Sequence, residues 1–364
     1  MRIAMLLSGG VDSSVALARL VEQRHEVTAF YLKIWLEDEL SFLGSCPWEE
    51  DLSYVRAVCK QLNVPLTVVS FQREYHERVV ANMIEQLRRG RTPNPDMLCN
   101  REVKFGAFLD RYGRKFDAVA SGHYAQVQTD EHGVAHLRCA PDPVKDQTYF
   151  LAMMTQAQLR QAMFPIGDMD KAQVRVEAAK RNLPTATRKD SQGICFLGKI
   201  SFREFVLRHC GERPGAVVEY GTQRVIGTHR GYYLYTIGQR KGLNLPGGPW
   251  YVCNKDAERN IVYVAHGFAQ HDQWRDTLIV EGCNWIVEPP HSGEMLRVKL
   301  RHGTVSYGAR ITSDTDASYR VVLEKKDQGI TPGQYAVFYR GNECLGGGII
   351  SERTHKDDGM GTMY

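Results

Sequence analysis

The chain has 364 residues, of which 43% are hydrophobic and 24% charged, and its formal net charge is +4. Because this length exceeds the usual size of a single hydrophobic core, we expect a soluble protein of two or three domains. No apolar run is long enough to cross a bilayer, and the strand predicted from Ile3 leaves no room for a signal peptide. The sequence therefore argues against a membrane protein and favours a cytoplasmic protein or a processed organellar one.

Strand-like and helical patterns alternate over the first 120 residues. The strand-like runs are Ile3–Leu7, Val27–Leu32, Leu66–Phe71 and Ala118–Ala120, and the helical patterns are Val11–Glu22, Glu49–Leu62, Tyr75–Arg89 and Lys104–Tyr112. Such alternation predicts an α/β fold in which helices cover both faces of a parallel sheet. Ligands in this architecture bind at the carboxyl ends of the strands.

A glycine-rich turn lies between the first predicted strand and the first predicted helix. Its sequence, Ser8-Gly9-Gly10-Val11-Asp12-Ser13, allows backbone N–H groups and serine hydroxyls to converge on one anion. The turn lacks the lysine of a Walker A loop, so we expect the helix dipole, the hydroxyls and Mg²⁺ near Asp12 to neutralise the phosphates of ATP. The alternative is an ordinary strand-to-helix turn in which Asp12 is solvated.

The character of the sequence changes after the first 200 residues. From about Ser201, glycine-rich stretches separate short strand-like runs, which predicts a small central domain over residues 201–275. Evenly spaced strands then predict a small β-barrel over residues 276–352, and they are Leu278–Cys283, Leu296–Arg301, Tyr307–Thr312, Tyr319–Leu323 and Gln334–Tyr339. Residues 1–200 would form the ATP-binding domain, and residues 353–364 a flexible polar tail.

The chain contains nine cysteines and no Cys-x-x-Cys pair, which argues against a zinc ribbon or an iron–sulfur cluster. Cys99 follows Pro93 and Pro95, and we expect Asp96 to cap a helix that places Cys99 in its first turn. There the helix dipole and nearby cations would favour a thiolate. The alternative is a cysteine that only packs beside a structural cap.

Cys195 lies between Gly193 and Gly198, where the chain can form a tight loop flanked by basic residues. The same stretch fits the spacing of a Walker A loop, but Ile200 stands in place of the required hydroxyl residue and no strand precedes it. We therefore reject a second nucleotide site there. An ATP turn combined with two activated cysteines predicts sulfur transfer.

Several strings resemble the bacterial and organellar tRNA-specific 2-thiouridylases of the PP-loop ATP pyrophosphatase superfamily, almost from end to end. They are Ser8–Ser14, Cys46–Asp51, Thr92–Asn100, Ser121–Ala125, Lys145–Leu151, Ser191–Gly198, Tyr235–Leu243, Pro332–Gln334 and Leu345–Ile350. The resemblance implies a PP-loop domain of the adenine nucleotide alpha hydrolase-like type, a small central domain and a C-terminal β-barrel. It also implies ATP-dependent 2-thiolation of the wobble uridine in the anticodon loop of tRNA, with sulfur supplied by a sulfur-relay protein to a monomeric enzyme.

The resemblance also implies roles for individual residues. Cys99 would be the nucleophile, Cys195 the persulfide carrier and Asp96 a proton donor or acceptor. The residues implied for ATP are Leu6, Leu7, Ser8, Gly9, Gly10, Val11, Asp12, Ser13, Leu32 and Gly122. The residues implied for tRNA are Asn94, Pro95 and Asp96 at the target base, with His123, Lys145, Asp146, Gln147, Arg301, His302 and Gln334 elsewhere.

Structural and functional alternatives remain open at this stage. His123 could hydrogen-bond a loop, Lys145–Gln147 could form a solvated turn, and Gln334 could be an ordinary hairpin residue. The chain departs from the usual family pattern at Gln126, where arginine is more frequent, and at His302, where tyrosine is usual. The PP-loop also occurs in amide-forming synthetases, which need no cysteine pair, and an RNA-binding protein could retain the turn as a structural relic.

Overall fold

The structure is a computed structural model, and it describes residues 1–34, 47–190, 201–266, 275–315 and 317–352. Cys195 and the predicted tail therefore lie outside the described residues. Within these ranges, no helix is both long enough and apolar enough to cross a membrane.

The first domain is built on a parallel sheet with two buried faces. Its strands are β1 (Arg2–Leu6), β2 (Glu26–Lys33), β3 (Leu66–Ser70), β4 (Ala118–Ser121) and, after a hairpin described below, β7 (Ala162–Met163), in the order β3-β2-β1-β4-β7. Successive residues of β1 enter different cores: Ala4 and Leu6 pack on one side, and Ile3 and Met5 on the other. Burial on both faces explains why these strands are apolar without alternation. The predicted parallel sheet is confirmed.

Helices cover both faces of this sheet. They occupy Val11–Glu22, Pro47–Leu62, Gln72–Tyr75, His76–Val80, Ala81–Arg88, Pro95–Leu98, Cys99–Ala107, Phe108–Tyr112, Thr148–Leu151, Gln156–Arg160 and Lys171–Lys180. Two of these segments, His76–Val80 and Cys99–Ala107, are π-helical. Because π-helical turns are rare and are often found at functional sites, the second one, which begins at Cys99, is notable.

A small mixed β-sheet forms the central domain after the helix Phe202–Cys210. Its strands are β8 (Gly215–Glu219), β9 (Val225–His229), β10 (Trp250–Asp256) and β11 (Ile261–His266), in the order β10-β11-β8-β9. Only β11 and β8 run parallel to each other. The predicted β-rich character of this region is confirmed.

Six strands close into the C-terminal barrel: β12 (Arg275–Trp285), β13 (Met295–Lys299), β14 (Tyr307–Thr315), β15 (Ser318–Asp327), β16 (Tyr335–Arg340) and β17 (Glu343–Ile350). Pairing of β12 with β17 closes the barrel. The sequence did not predict β17, because three consecutive glycines disfavour a strand. The structure shows why they are present: a Cβ on Gly346 would lie 2.0 Å from the Asn284 carbonyl oxygen, and one on Gly347 2.5 Å from that of Ala336.

A hairpin from the first domain extends the sheet of the barrel. It consists of β5 (Ala125–Thr129) and β6 (Ala135–Cys139), and β6 pairs antiparallel with β17 through Arg138 and Glu343. The His136 ring bonds Glu343 (Nδ1 to Oε1, 2.6 Å) and Asp130 (Nε2 to Oδ2, 3.3 Å). The chain therefore leaves the parallel sheet after β4, adds β5 and β6 to the sheet of the barrel, and returns to the parallel sheet at β7. His136 lies where β6 meets the barrel strand β17.

We expect the stabilising contribution of His136 to depend on pH. Its hydrogen bond to Glu343 and the bond to Asp130 raise the pKa of His136 above its usual value. A raised pKa in the folded state stabilises the fold below the unfolded pKa of about 6.5, and this contribution is lost as the pH rises through the folded pKa. His136→Gln should therefore lower the stability by up to about 1 kcal/mol near pH 5.5 and by less near pH 8.5.

The measurement is chemical denaturation of both proteins at the two pH values. His132→Gln is the matched control, because His132 is 78% exposed and its ring lies 3.6 Å from Glu131, which is itself 88% exposed. An equal loss for His136→Gln at both pH values would contradict the ionic role of this side chain.

Candidate active site

The predicted phosphate turn has the geometry of an anion site. Gly9 has a φ of +81°, and a Cβ there would lie 2.7 Å from the Asp51 carbonyl oxygen, so glycine is required. The helix Val11–Glu22 begins after Gly10 without a side-chain cap. Its first N–H groups are thus directed at the turn without a capping acceptor, which is the arrangement that binds phosphate at helix N-termini.

The serine hydroxyls of the turn form a small network. Ser13 and Ser14 donate to the Gly10 carbonyl oxygen at 3.1 Å and 2.8 Å, and the Ser13 hydroxyl also lies 3.2 Å from that of Ser8. These bonds fix the backbone conformation of the turn. The hydroxyls of Ser8 and Ser13 therefore lie side by side where the sequence predicts phosphate contacts.

Three neighbouring strands bring the other predicted ATP residues to this edge. Leu6 ends β1, Leu32 lies near the end of β2, and Gly122 directly follows β4. A Cβ on Gly122 would lie 2.6 Å from the backbone nitrogen of Ser13, so the close approach of β4 to the turn requires glycine. The structure thus brings together the residues that the sequence predicted for ATP, while their contact with ATP stays a prediction.

A lysine from a distant helix contacts the turn, although the turn's own sequence contains no lysine. The Nζ atom of Lys171 is 2.7 Å and 3.0 Å from the two carboxylate oxygens of Asp12, and Tyr124 donates its hydroxyl to the same carboxylate at 2.6 Å. Arg188 donates to the Gly9 carbonyl oxygen at 2.6 Å. Sequence reasoning missed these cations because Lys171 is 159 residues from Asp12 and belongs to no recognisable motif.

Asp190 joins three cations next to the turn. Its carboxylate lies 2.8 Å from Lys145, 2.8 Å from Lys171 and 2.5 Å from Arg175. Burial alone would raise the pKa of Asp190, but hydrogen bonds from Lys145 and Lys171 outweigh it and hold that pKa well below its usual range. Lys145, which the sequence predicted as a tRNA contact, is thus tied to the phosphate turn through one shared carboxylate.

The donor set gives a limited fit to Mg²⁺. Across the described ranges there is no group of three or more His, Cys, Asp and Glu side chains that could hold a metal ion. Within the described turn Ser8–Ser13, the one carboxylate is that of Asp12. Magnesium is often held by one or two carboxylates together with substrate phosphates. Asp12 fits this kind of site, whereas one carboxylate is too few for a site built from protein ligands alone.

The helix that carries Cys99 is capped by a different residue from the one predicted. Asn94 is the N-cap, and its side chain accepts a hydrogen bond from the Met97 backbone N–H at 3.4 Å. The expectation that Asp96 caps this helix is wrong, because Pro95 occupies the first helical position, where its fixed φ suits the helix, and leaves Asn94 as the cap. Cys99 consequently lies in the second turn instead of the first, and it is 3% exposed.

Polar side chains follow Cys99 in the π-helical segment, and His123 lies near one of them, Lys104. Asn100 donates to the Phe150 carbonyl oxygen at 3.1 Å and accepts from Lys104 at 3.0 Å. His123 forms a 2.7 Å hydrogen bond with the Ser121 hydroxyl, and burial together with the charge of Lys104 lowers the pKa of His123 well below its usual value. The His123 ring is therefore neutral at neutral pH.

The barrel contacts the segment that leads to Cys99. Gln334 donates to the carbonyl oxygens of Thr92 and Pro93 at 2.9 Å and 3.2 Å, and the Thr92 N–H donates to the Pro332 carbonyl oxygen at 2.9 Å. His302 stacks on Phe150, with ring centroids 4.6 Å apart. Two predicted tRNA residues of the barrel, Gln334 and His302, therefore lie beside the predicted target-base residues.

Three other residues predicted for tRNA have protein partners. Asp146 is buried, accepts from Thr148 at 2.9 Å and pairs with Lys299 at 3.2 Å. Arg301 pairs with Asp327 at 2.6 Å, and Gln147 accepts from the Tyr124 backbone N–H at 3.0 Å. The Asp146 side chain is thus directed into the protein, and any contact of this residue with RNA would have to use the backbone.

Comparison with known proteins assigns the family. Residues 1–199 match a family described as tRNA methyl transferase HUP domain, residues 203–266 one described as tRNA methyl transferase PRC-barrel domain, and residues 275–350 one described as aminomethyltransferase beta-barrel domain. The chain is 46% identical over 363 residues to a tRNA-specific 2-thiouridylase MnmA of Parabacteroides distasonis, which covers 97% of this chain and 100% of the relative. The chain belongs to the tRNA-specific 2-thiouridylase family.

Further relatives in the 2-thiouridylase family show similar coverage. A tRNA-specific 2-thiouridylase MnmA of Porphyromonas gingivalis is 43% identical over 362 residues, with 97% of this chain and 99% of the relative covered. The relative named MnmA 1 of Bacteroides thetaiotaomicron is 44% identical over 357 residues, with 96% and 100% covered. The three-part fold predicted from the sequence agrees with this family assignment.

In this member of the 2-thiouridylase family, we expect Asp146 to be needed for stability. Asp146→Asn removes the charge that balances the buried ammonium group of Lys299 and should cost about 3 kcal/mol. The double variant Asp146→Asn with Lys299→Met should recover part of this loss. The measurement is the midpoint of denaturant-induced unfolding for each protein.

Asp168→Asn is the matched control, because Asp168 pairs with Arg19 at 2.6 Å but is 59% exposed, and it should change stability by less than about 1 kcal/mol. If Asp146→Asn unfolded like the wild type and instead weakened tRNA binding, a direct RNA contact of Asp146 would replace this structural role.

Proposed function

We propose that the chain uses ATP and a persulfide to convert the wobble uridine of tRNA to 2-thiouridine. The observation that carries the proposal is that one domain holds both an uncapped, glycine-rich turn and Cys99, which follows a segment bonded to the barrel. Relatives that are 43–46% identical over nearly the whole chain are named tRNA-specific 2-thiouridylases. Thiol chemistry of this kind requires a reducing compartment, which favours the cytoplasm.

The first step activates the base. The uracil O2 attacks the α-phosphate of ATP, a bond forms between O2 and phosphorus, and pyrophosphate leaves. Without this activation the oxygen on uracil C2 is a poor leaving group. Adenylation lets it leave as part of AMP, which is a good leaving group. The base must be unstacked from the anticodon loop to reach the site, at a cost that is smallest in single-stranded RNA.

Residues at the turn would stabilise the pyrophosphate leaving group. The first N–H groups of the helix Val11–Glu22 and the Ser8 and Ser13 hydroxyls donate to phosphate oxygens. Lys171 supplies the cation that a Walker A lysine would otherwise supply, by exchanging its ion pair with Asp12 for one with phosphate. Mg²⁺, when bound beside Asp12, would add further positive charge at the phosphates.

The second step transfers sulfur. A sulfur-relay protein would load Cys195 with a persulfide, and the Cys99 thiolate would attack the inner sulfur of that persulfide. The S–S bond breaks, the terminal sulfur leaves as hydrosulfide and attacks C2, and AMP departs with the original oxygen. A Cys99–Cys195 disulfide results, and an external thiol reductant must reduce it before the next turnover.

We also propose supporting roles for the π-helical segment, Asp96 and His123. Because Cys99 is 3% exposed, sulfur transfer requires a local rearrangement of the π-helical segment that begins there. Asp96, one turn earlier in the same helical region, is the proposed acid or base for the uracil N3 proton. Neutral His123 would serve as a hydrogen-bond partner to RNA and not as a cation.

We expect purified protein with ATP, Mg²⁺, unmodified tRNA and a persulfide donor to produce 2-thiouridine, detected by mass spectrometry of digested RNA. Cys99→Ser and Cys195→Ser should each abolish the product and leave tRNA-dependent pyrophosphate release intact. Cys59→Ser is the control, because the buried Cys59 thiol has its pKa raised to about 11 by burial and lies in the core of the first domain. Thiouridine formation by both serine variants would refute the persulfide relay.

We expect Lys171→Met to slow tRNA-dependent pyrophosphate release by about 100-fold or more, as for loss of one preorganised donor to a transition-state anion. Lys180→Met is the matched control on the same helix, because Lys180 is 73% exposed and remote from the turn. Lys171→Arg should retain more activity than Lys171→Met, since it keeps the positive charge. Equal melting temperatures would show that both variants fold, and undiminished release by Lys171→Met would disprove the role of this lysine.

A further inference from the structure

A second cavity lies where the three domains meet. Its volume is about 640 Å³, and it is distinct from the phosphate turn. The first domain contributes the end of the helix Ala81–Arg88, the central domain contributes β10 and β11, and the barrel contributes the loop before β16. The charged residues of its wall are Arg89, Lys255, Asp256, Glu258, Arg275 and Glu352.

Lys255 is the unusual member of this cavity. Its Nζ atom is buried and has no hydrogen-bond partner among the residues that the structure describes. The other two buried lysines described above are paired, Lys171 with Asp12 and Lys299 with Asp146. Burial lowers the pKa of Lys255 to about 8, against an opposing effect of the Glu352 charge. A buried ammonium group without a partner is costly, so the site favours any anion that could pair with it.

The flexible stem of Lys255 connects this amine to the cavity. Because no hydrogen bond holds the ammonium group in place, it can move toward a ligand in the cavity without losing a partner in the protein. Lysine has four rotatable side-chain carbons, and the residue already lines the cavity wall. The amine is thus available to a ligand although it is buried in the free protein.

Three cations and three acids line the cavity, so the state of each charged group matters. Arg89 and Arg275 add two guanidinium groups to the wall. Arg89 pairs with Glu85, but both side chains are more than half exposed, so this pair contributes little and is easily exchanged. Of the acids in the wall, Glu352 is already paired with Arg91 at 2.9 Å.

A second acid of the wall is also engaged. Asp256 accepts the Arg259 backbone N–H at 2.8 Å and lies 3.7 Å from the Arg259 guanidinium group. The third acid, Glu258, is exposed, so water screens its charge. Lys255 differs from these groups because its terminal atom is buried and accepts no such screening.

We propose that this cavity binds a phosphate group, which Lys255 and Arg275 neutralise. The proposal rests on the proposed function, because the backbone of the tRNA substrate is the source that the position of the cavity favours. Thr331 and Pro332 line the cavity, and Pro332 also bonds Thr92 in the segment that leads to Cys99. A phosphate bound here would fix the RNA backbone against all three domains beside the predicted target-base residues.

The first test is the salt dependence of tRNA binding by Lys255→Met, which keeps the apolar stem and removes the amine. We expect tRNA affinity to fall about 3- to 10-fold and the slope of log affinity against log salt to decrease by about one. Lys60→Met is the matched control, because Lys60 is exposed on the helix Pro47–Leu62 and should change neither quantity beyond error. An unchanged slope for Lys255→Met would overturn the tRNA arm of the proposal.

The second test titrates Lys255 in the wild-type protein, and a variant serves only to assign its resonance. With ¹³C at the lysine ε-carbons, the Lys255 resonance is the one that disappears in Lys255→Met. Its pH titration is measured with tRNA, with inorganic phosphate at constant ionic strength, and with chloride alone. A rise in the pKa of Lys255 with tRNA alone supports an RNA backbone site, and a rise with both supports a general phosphate site.

The titration separates this proposal from the proposed function. No change with either tRNA or phosphate would overturn the phosphate site, whatever the catalytic assay shows. If the pKa of Lys255 rises with phosphate while the protein forms no 2-thiouridine from any tRNA, the cavity stands as a phosphate site and the proposed function fails.

Discussion

The ammonium group of Lys171 joins the phosphate turn to the rest of the first domain. It lies between Asp12 in the turn and Asp190, and Asp190 in turn binds Lys145 and Arg175. Partly buried charges interact strongly because the protein screens them less than water does, so each of these groups depends on its neighbours. A third carboxylate, Asp142, accepts the backbone N–H groups of Lys145 and Lys171 at 3.1 Å and 3.2 Å, so it belongs to the same network.

The barrel packs against the first domain beside the segment that leads to Cys99. Gln334 holds the backbone of Thr92 and Pro93, and His302 stacks on Phe150. These contacts place one side of the barrel over the helix that carries Cys99. Nucleotide and RNA would then approach from different domains, with the reactive thiol between them. Such a division allows the base to be positioned by one domain and activated by another.

Local patterns in the sequence predicted the first domain well, because strand, turn and helix there follow from neighbouring residues. The turn Ser8–Ser13 and the parallel sheet are of this kind. The sequence could not predict Lys171 at the turn, since this contact joins residues 159 positions apart. It also assigned the helix cap to Asp96 instead of Asn94, because several polar residues compete for a cap and the backbone decides among them. The sequence also did not predict β17, because its glycines disfavour a strand, although the close backbones of β12 and β16 require them.

The hairpin β5–β6 has a consequence for how this chain is made. Its partner in the barrel follows it by about two hundred residues, as the 207-residue separation of His136 and Glu343 shows. At ordinary rates of translation, this length takes roughly 10 to 40 seconds to synthesise. The nascent hairpin therefore leaves the ribosome with an open strand edge, and that edge stays unpaired until almost the last residues emerge. Synthesis of this enzyme is thus a period in which the edge of β6 needs protection from other chains.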